Sequence, residues 1–218
     1  MKKIINYCRQ IVLLNGIFYG ILLTISNIIR KFRSIFYRFV LNAPEINVGP
    51  GCKFINIRLI NFGKNISIFK SIWIEAVVIY KGKKYSPKIY IGDRVSFSAG
   101  VHITAIHQIT IGNDVLFGSN IYISDHNHGG YSNNVHSIPS EPPSARELTS
   151  GGEVFIGNNV WVGDNVNIVA PVKIGDGSII GANSVVRGDI PSNVIVAGSP
   201  ARIIKIFNES TKLWIPQK

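Results

Sequence analysis

The sequence predicts an all-β solenoid, a parallel β-helix whose short strands wind into three-sided coils. The prediction rests on aliphatic residues that recur every six positions in the C-terminal half. Two further observations complete the architecture, because a hydrophobic stretch near the N-terminus predicts a helix before the solenoid and a long polar segment that breaks the repeat predicts an inserted loop. With 46% hydrophobic and only 16% charged residues, the chain does not have the composition of a disordered protein.

The first element is a basic and hydrophobic segment over residues 1–45. The chain has a formal net charge of +11, and residues 1–44 hold seven Lys or Arg and no Asp or Glu. The 19 residues from Ile11 to Ile29 carry no charge. As one helix they would be about 28 Å long, close to the thickness of a bilayer core.

Three interpretations of this helix stay open: a membrane span, a helix lying on the membrane surface, and a cap on the end of the following domain. A signal peptide is disfavoured, because the basic run at 30–33 follows directly and no small-residue cleavage site is present. A stripe of polar or small residues favours the surface helix. The stripe consists of Asn6, Arg9, Gln10, Gly16, Gly20, Thr24 and Asn27.

The second element is the six-residue repeat, over residues 46–205. Its clearest run of aliphatic positions is Ile156, Val162, Ile168, Ile174, Ile180 and Val186. The fifth position of each hexad is also small or aliphatic, and these residues are Val160, Val166, Val172, Ser178, Ser184 and Ile190. The same frame recurs upstream at Ile111, Phe117, Ile123, at Ile91, Phe97, Ile103, at Phe62, Ile68, Ile74, and at Val48 and Phe54.

A period of six fits neither a long helix nor one extended strand, so it indicates short strands joined by turns. Three hexads close one coil, with the aliphatic side chain inward and stacked on its equivalent in the next coil. We expect Gly or Asn near each corner, where a positive φ is tolerated. Each coil buries little alone, so the ends need caps, which we assign to the N-terminal helix and the chain after Pro200.

The third element is the break in the repeat between Ile123 and Ile156, which predicts a loop over residues 124–153. Solenoids use such insertions as projecting loops, often on the binding face. The loop begins with Ser-Asp-His-Asn-His at 124–128. Two His and an Asp this close provide a candidate general base and an orienting partner, and the alternative is an ordinary polar loop root.

The repeat resembles the hexapeptide-repeat acyltransferases, whose fold is a left-handed parallel β-helix. The run from Ser124 to Gly129, Gly-Ala-Asn-Ser-Val-Val-Arg-Gly-Asp-Ile-Pro at 181–191 and Ala-Gly-Ser-Pro-Ala-Arg at 197–202 are similar to bacterial O-antigen and capsule O-acetyltransferases. This resemblance implies transfer of acetyl from acetyl-CoA to a sugar hydroxyl of a surface polysaccharide or its precursor. It further implies a homotrimer, with no metal and no nucleic-acid partner. The basic charge and the uncharged stretch within residues 1–40 predict peripheral contact with the cytoplasmic face of the inner membrane, where acetyl-CoA is available.

The resemblance also implies the site residues. The family's catalytic His lies seventeen positions after the Ile of an Ile-Gly-Asn/Asp hexad, which places it at His128, with His126 and Asp125 beside it. The coenzyme A site would be formed by Trp161, Gly163, Ala182, Ser184, Arg187, Pro200, Arg202 and Lys205. The acceptor would contact Ser98, Asn127 and Tyr131. The alternatives are that the three cations are ordinary surface charges and that Trp161 is a packing residue.

Other functions of the same fold stay open. A γ-type carbonic anhydrase would use His102 and His107, but such a zinc site needs a third His and none precedes His102. A non-enzymatic solenoid would not need the His-rich loop. Serine and nucleotide-sugar N-acetyltransferases are closer alternatives, with different N-terminal modules. Cys8 and Cys52 lie far from the loop in sequence, which disfavours a thiol relay. Residues 206–218 are expected to be a C-terminal tail.

Overall fold

The structure, a computed structural model, describes residues 2–132 and 135–217. It begins with the helices α1 (Lys2–Asn15) and α2 (Ile17–Val40). The strands are, in chain order, β1 (Asn47–Val48), β2 (Lys53–Ile55), β3 (Ile60–Phe62), β4 (Ser67–Lys70), β5 (Trp73–Ala76), β6 (Ile79–Tyr80), β7 (Lys83–Lys84), β8 (Lys88–Ile91), β9 (Ser96–Ala99), β10 (His102–Ala105), β11 (Gln108–Ile111), β12 (Leu116–Phe117), β13 (Tyr122–Ser124), β14 (His126–His128), β15 (Tyr131–Ser132), β16 (Val135–His136), β17 (Leu148–Ser150), β18 (Val154–Ile156), β19 (Trp161–Val162), β20 (Asn167–Ile174), β21 (Ile179–Ile180), β22 (Val185–Ile190), β23 (Val194–Gly198), β24 (Ala201–Asn208) and β25 (Leu213–Pro216). Short 3-10 helices cover Ile57–Leu59 and Pro143–Ala145.

The strands stack in parallel on three faces. Face 1 consists of β1, β4, β9, β12, β19, β21 and β23. Face 2 consists of β2, β5, β10, β13 and the first half of β20, and face 3 of β3, β8, β11, β18 and the second half of β20. The prediction of a mostly β chain built from stacked parallel strands is confirmed.

The core follows the six-residue frame. All six inward positions of the C-terminal run are 0% exposed, and these are Ile156, Val162, Ile168, Ile174, Ile180 and Val186. Corresponding positions pair directly in the parallel register, for example Ile123 with Ile168 and Phe117 with Val162. The rings of Phe97 and Phe117 stack between successive coils, with centroids 5.0 Å apart. The interior is therefore a set of side-chain columns running along the solenoid.

The corners follow the expectation for Asn, and also for corner glycines such as Gly177, with a φ of 68°. Asn159, Asn165 and Asn183 adopt left-handed backbone, with φ of 56°, 57° and 59°. The glycines that follow the inward aliphatic residues do not, and close approach of the next coil explains them instead. A Cβ on Gly163 would lie 2.7 Å from the backbone nitrogen of Ala182. These glycines are needed because there is no room for a side-chain carbon between coils.

Two insertions leave the solenoid at the corner between face 2 and face 3. The first is the β6–β7 hairpin, and the second, two coils later, is the long loop with the antiparallel pairs β14–β17 and β15–β16. They contact each other: the Tyr85 hydroxyl donates to the Leu148 carbonyl at 3.0 Å, and Lys83 pairs with Glu147 at 2.7 Å. The sequence analysis missed the first insertion, although the 17-residue step from Ile74 to Ile91 marks it.

The N-terminal segment is a helical hairpin rather than one helix. Gly16 has a φ of 78° and separates α1 from α2, so the prediction of a single helix over Ile11–Ile29 was wrong. Within the described residues, no helix combines the length and the apolar character needed to cross a bilayer. The second half of α2 docks on the first coil, where the Ser34 hydroxyl accepts a bond from the Val48 nitrogen at 3.0 Å and Tyr37 packs edge-on against Phe54.

The C-terminal segment continues the sheet of face 1. Strand β24 pairs antiparallel with β23, and β25 pairs antiparallel with β24. Residues 206–217 thus belong to a hairpin, where the sequence analysis placed a separate tail. The chain reverses at Pro200, and the last two strands extend the sheet beyond the last coil. They act as the cap that the exposed end of a solenoid needs.

We predict that Gly112→Ala destabilises the protein far more than Gly181→Ala. A Cβ at Gly112 would meet the backbone carbon of Gly157 at 2.7 Å, whereas the nearest atom to a Cβ at Gly181 is the Ala197 methyl carbon at 3.0 Å. Overpacking of this kind costs about 1–3 kcal/mol. Urea denaturation would show that loss for Gly112→Ala and less than half of it for Gly181→Ala. Equal losses would contradict the role of coil spacing.

Candidate active site

A trough of about 360 Å³ runs along face 1. Its floor is one outward column of residues, each directly following an inward side chain, and consists of Ser98, Gly118, Gly163 and Gly181. Three of the four are glycines, so most of the floor is bare backbone. Leu116, Trp161 and Ile179 form the neighbouring column and give the trough an apolar wall.

Two cations lie at the C-terminal end of this trough. In the pairing of β23 with β24, Arg202 is opposite Ala197 and Lys205 is opposite Ile195. Ala197 stacks on Gly181, and Ile195 stacks on Ile179. Arg202 therefore extends the column that forms the floor of the trough, and Lys205 extends the column that forms its wall. The structure thereby brings five of the eight predicted donor-site residues onto one face, with Pro200 in the adjoining turn. These five are Trp161, Gly163, Ala182, Arg202 and Lys205.

Ser184 and Arg187 lie elsewhere. Ser184 is 0% exposed, and its hydroxyl donates to the Gly181 carbonyl at 2.6 Å and accepts from the Gly198 nitrogen at 3.1 Å. Its side chain supports the backbone beneath the trough and cannot reach a ligand. Arg187 belongs to β22, which pairs with β20 where face 2 turns into face 3. We therefore leave these two residues out of the candidate donor site.

At the root of the long loop, Asp125 is fully buried and its carboxylate is saturated with donors. It accepts backbone bonds from Ile106 at 2.9 Å and His107 at 2.7 Å, and it contacts His126 Nδ1 at 2.9 Å. The His126 side chain is only 7% exposed, and its carbonyl accepts a bond from the Ser124 hydroxyl. Asp125 and His126 thus fasten the loop to the preceding coil.

His128 lies two residues beyond this anchor, and its side chain is exposed, as is that of Asn127. The Tyr80 hydroxyl is 3.4 Å from His128 Nδ1, and the two rings meet edge-on with centroids 5.4 Å apart. The His128 carbonyl accepts a bond of 2.6 Å from the Tyr131 hydroxyl. His128 is therefore the histidine at this loop root that an external substrate can reach.

Sequence analysis missed two residues that hold this region in place. Tyr80 belongs to the unrecognised hairpin. Arg146 is 9% exposed and donates to the Tyr131 hydroxyl at 2.6 Å and to the carbonyls of Ile138 and Glu141. Arg146 could have been found, because it is the one Lys or Arg within residues 124–153. A single guanidinium among many carbonyl groups is suited to organising a loop.

His102 forms a stack on the outside of face 2. Its ring lies 4.4 Å from that of Trp73 and 5.4 Å from that of Tyr122, and Lys53 Nζ covers the other side of Trp73. Among the described residues, its buried Nε2 has no hydrogen-bond partner. Burial lowers the pKa of His102, and the nearby charges of His126 and Lys53 lower it further. His102 is consequently neutral near pH 7.

His107, the other residue considered for zinc, has its Nε2 3.5 Å from the Glu153 carboxylate. Over the parts of the chain that the structure describes, no group of three or more His, Cys, Asp or Glu is placed to hold a metal ion. The His102 ring packs in the aromatic stack, whereas His107 lies at the corner that follows β10, beside Glu153. The two side chains therefore have separate contacts.

The exposed histidine and the trough lie on different sides of the solenoid. The loop carrying His128 leaves the chain at the end of face 2, whereas the trough occupies face 1. In the part of the chain that the structure describes, His128 is not among the residues that line the trough. A site that uses both needs the loop of one chain beside the trough of another.

Comparison with known proteins gives consistent matches. The family described as bacterial transferase hexapeptide (six repeats) matches residues 153–188. The chain is 42% identical over 164 residues to the "Putative lipopolysaccharide biosynthesis O-acetyl transferase WbbJ" of Escherichia coli strain K12, covering 75% of this chain and 80% of that protein.

Two solved structures have a similar fold. A point mutant of AntD, an N-acyltransferase from Bacillus cereus in complex with dTDP and coenzyme A, superposes with a TM-score of 0.61 at 19% identity and covers 81% of this chain and 90% of its own. The hexapeptide-repeat acetyltransferase VCA0836 from Vibrio cholerae, complexed with acetyl coenzyme A, superposes with a TM-score of 0.53 at 28% identity. The match covers 70% of this chain and 74% of that chain.

We predict that His102 makes the fold sensitive to mild acid. In the unfolded chain a His binds a proton near pH 6.5, whereas folded His102 stays neutral to lower pH. Below about pH 6.5 the unfolded state binds more protons, so the free energy of unfolding decreases as the pH falls. Denaturation curves at pH 7.5 and 5.5 would show this decrease in the wild type. His102→Phe, which keeps a ring in the stack, would reduce the decrease, and His107→Gln would not.

Proposed function

Because the chain belongs to the bacterial hexapeptide-repeat transferases and is an acyl-CoA-dependent acyltransferase, we propose that it transfers acetyl from acetyl-CoA to a sugar hydroxyl. We infer that the sugar belongs to a bacterial surface polysaccharide, O-antigen or capsule, or to its precursor. The observation that carries this proposal is the exposed His128 on a loop whose root is bonded to the preceding coil. The 42% identity to a relative named for lipopolysaccharide O-acetylation supports the acceptor class.

The trough on face 1 fits the shape of the donor. Coenzyme A combines a long, narrow pantetheine arm with a phosphorylated nucleotide. The bare floor around Gly163 leaves space for the arm against Trp161, and Arg202 and Lys205 at the far end provide partners for phosphates. With the phosphates there, the arm runs towards Ser98, where the acetyl thioester would be attacked.

His128 is the proposed general base. A neutral imidazole accepts the proton of the sugar hydroxyl as its oxygen attacks the thioester carbonyl. The tetrahedral intermediate collapses to the acetyl ester, and the departing thiolate takes the proton from the imidazolium. Asp125 and His126 act as positioning residues, because both are buried in the anchor of the loop. The Tyr80 hydroxyl beside Nδ1 orients the ring.

The arrangement of faces supports a homotrimer of left-handed coils, the assembly and handedness implied by the family. The proposed base belongs to the corner after face 2 and the donor trough to face 1, so one chain holds two incomplete halves. In a cyclic assembly every chain presents its loop to the trough of the next chain, and every site is completed.

The helical hairpin supports attachment to the cytoplasmic face of the inner membrane. Helix α2 exposes large apolar side chains around its surface. The most exposed of them are Ile17, Phe18, Leu22, Phe32, Phe36 and Phe39, at 61% to 88%. Exposed apolar surface of this extent marks an interaction site. Together with seven basic and no acidic residues in 1–44, it fits a hairpin lying on an anionic lipid surface.

We predict that His128→Ala lowers kcat by about 10²–10⁴-fold with little change in acetyl-CoA affinity, because general-base catalysis contributes factors of that size. His126→Ala is expected to cost about tenfold, through misplacement of the loop. The acceptor is surface polysaccharide from a strain lacking the gene, and the product is followed by mass spectrometry. Near-normal turnover in His128→Ala with loss in His126→Ala would reverse the two roles.

The same product separates O-acetylation from the alternative of N-acetylation of an amino sugar. An ester is removed by mild alkali, whereas an amide survives it. Acetyl groups that resist mild alkali would overturn the proposed O-acetylation. The role of His128 would then be tested by repeating the His128→Ala assay with an amino sugar as the acceptor.

We predict that two inactive variants restore activity when they assemble together. Ala182→Trp fills the trough, and His128→Ala removes the base, so each homotrimer lacks functional sites. In a mixed trimer, a site formed by His128 of one chain and the open trough of another is intact. Random mixing in equal amounts gives about a quarter of wild-type activity if each site joins two chains. Absence of any recovery after co-refolding would contradict a shared site.

A further inference from the structure

A second groove, of about 440 Å³, lies between α2 and the first two coils. One part of its lining is apolar and includes Leu22, Ile29 and Phe69. The other part is cationic and consists of Arg30, Arg33 and Lys70, with no Asp or Glu in the lining. Such a surface is suited to a ligand that combines an apolar chain with an anionic group.

The cations of this groove are held near it but are not neutralised. The Arg30 guanidinium donates to Asn47 Oδ1 at 2.9 Å and to the Ile68 carbonyl at 3.2 Å, which fixes it against the coil. Lys70 Nζ lies 5.7 Å from the centre of the Phe69 ring. Among the described residues, none of the three cations forms an ion pair with a carboxylate.

The groove and the trough of face 1 are lined by residues of neighbouring coils. Ile68 pairs with Phe97 and Lys70 with Ala99, so Phe69 between them lies beside Ser98 of the next coil. Phe69 lines the groove, and Ser98 lines the trough. Adjacent strands are about 4.8 Å apart, so a ligand in the groove needs to extend by only one coil to reach the proposed acceptor position.

We propose that this groove binds the phosphate through which a glycan is attached to its membrane lipid, with the lipid chain along the apolar surface of α2. This inference rests on the proposed function and narrows its acceptor to a lipid-phosphate-linked precursor. Arg33 and Lys70 contact the phosphate through charge-assisted hydrogen bonds, and Arg30 adds its charge. A nucleotide sugar would leave the apolar lining empty, and a finished polymer would leave the cations empty. A lipid-linked glycan fills both and places its sugar beside Ser98.

Binding of farnesyl phosphate to the full chain tests the groove without acetyl transfer. Arg33→Gln and Lys70→Gln are each expected to weaken this binding about tenfold, and the double variant more. Lys64→Gln, which removes an exposed charge from the neighbouring part of the same coil, serves as the matched control and should leave binding unchanged. Farnesol and inorganic phosphate should each bind at least tenfold more weakly than farnesyl phosphate in the wild type.

Three results would overturn the proposal. The first is unchanged farnesyl phosphate binding in the double variant. The second is inorganic phosphate binding as tightly as farnesyl phosphate, which would indicate a site for a free anion. The third is an equal decrease, in the double variant, of binding to phosphatidylglycerol vesicles and of binding to farnesyl phosphate. That result would indicate a contact with bulk anionic lipid.

A second measurement separates failure of this inference from failure of the proposed function. The ratio of kcat/KM for a farnesyl-phosphate-linked oligosaccharide to that for the same free oligosaccharide should decrease about tenfold in each groove variant. Transfer to both acceptors with an unchanged ratio would contradict the groove and leave the acetyltransferase standing. Wild type that binds farnesyl phosphate but acetylates neither acceptor would contradict the acetyltransferase and leave the groove standing.

Discussion

The stacking of inward side chains between coils is the interaction on which the rest of the structure depends. A single coil encloses too little volume to bury its own side chains, so Ile123 is buried only because Ile103 and Ile168 pair with it on either side. Parallel strands about 4.8 Å apart impose this spacing along the whole chain. At the strand ends the spacing excludes a Cβ, which requires glycine at positions such as Gly163.

The same requirement creates the trough. The residue after each inward side chain points outward, and where packing demands glycine there, no side chain projects from the face. Gly118 and Gly163 are therefore explained by packing, and together with the less crowded Gly181 they leave a channel that a narrow ligand can occupy. Core packing and the shape of the site cannot be changed independently here. A larger residue at Gly118 or Gly163 affects stability before it affects binding.

The sequence predicted what depends on the period and missed what depends on contacts between distant segments. The six-residue frame identified the inward aliphatic positions, and it also marked the fifth position of each hexad, where Ser184 lies, as small or aliphatic. The family resemblance placed Ser184 at the coenzyme, whereas the structure buries it. Tyr80 and His128 are 48 residues apart, and no local pattern reports that two insertions meet at one corner. The break at Gly16 was equally hidden, since glycine is tolerated in a helix as well as at a turn.

The distribution of charge along face 1 is compatible with the two anionic substrates proposed for this surface. The proposed donor cations, Arg202 and Lys205, belong to β24, and the groove cation Lys70 belongs to β4. Six strand-to-strand steps separate β4 from β24, which amounts to about 29 Å. Across water at that distance, two unit charges interact by only about 0.1 kcal/mol, and the Debye length at physiological salt, about 8 Å, screens them further. The phosphates of the proposed donor and acceptor can therefore bind at opposite ends without repelling each other, and the proposal places their uncharged reactive parts, the thioester and the sugar hydroxyl, near Ser98.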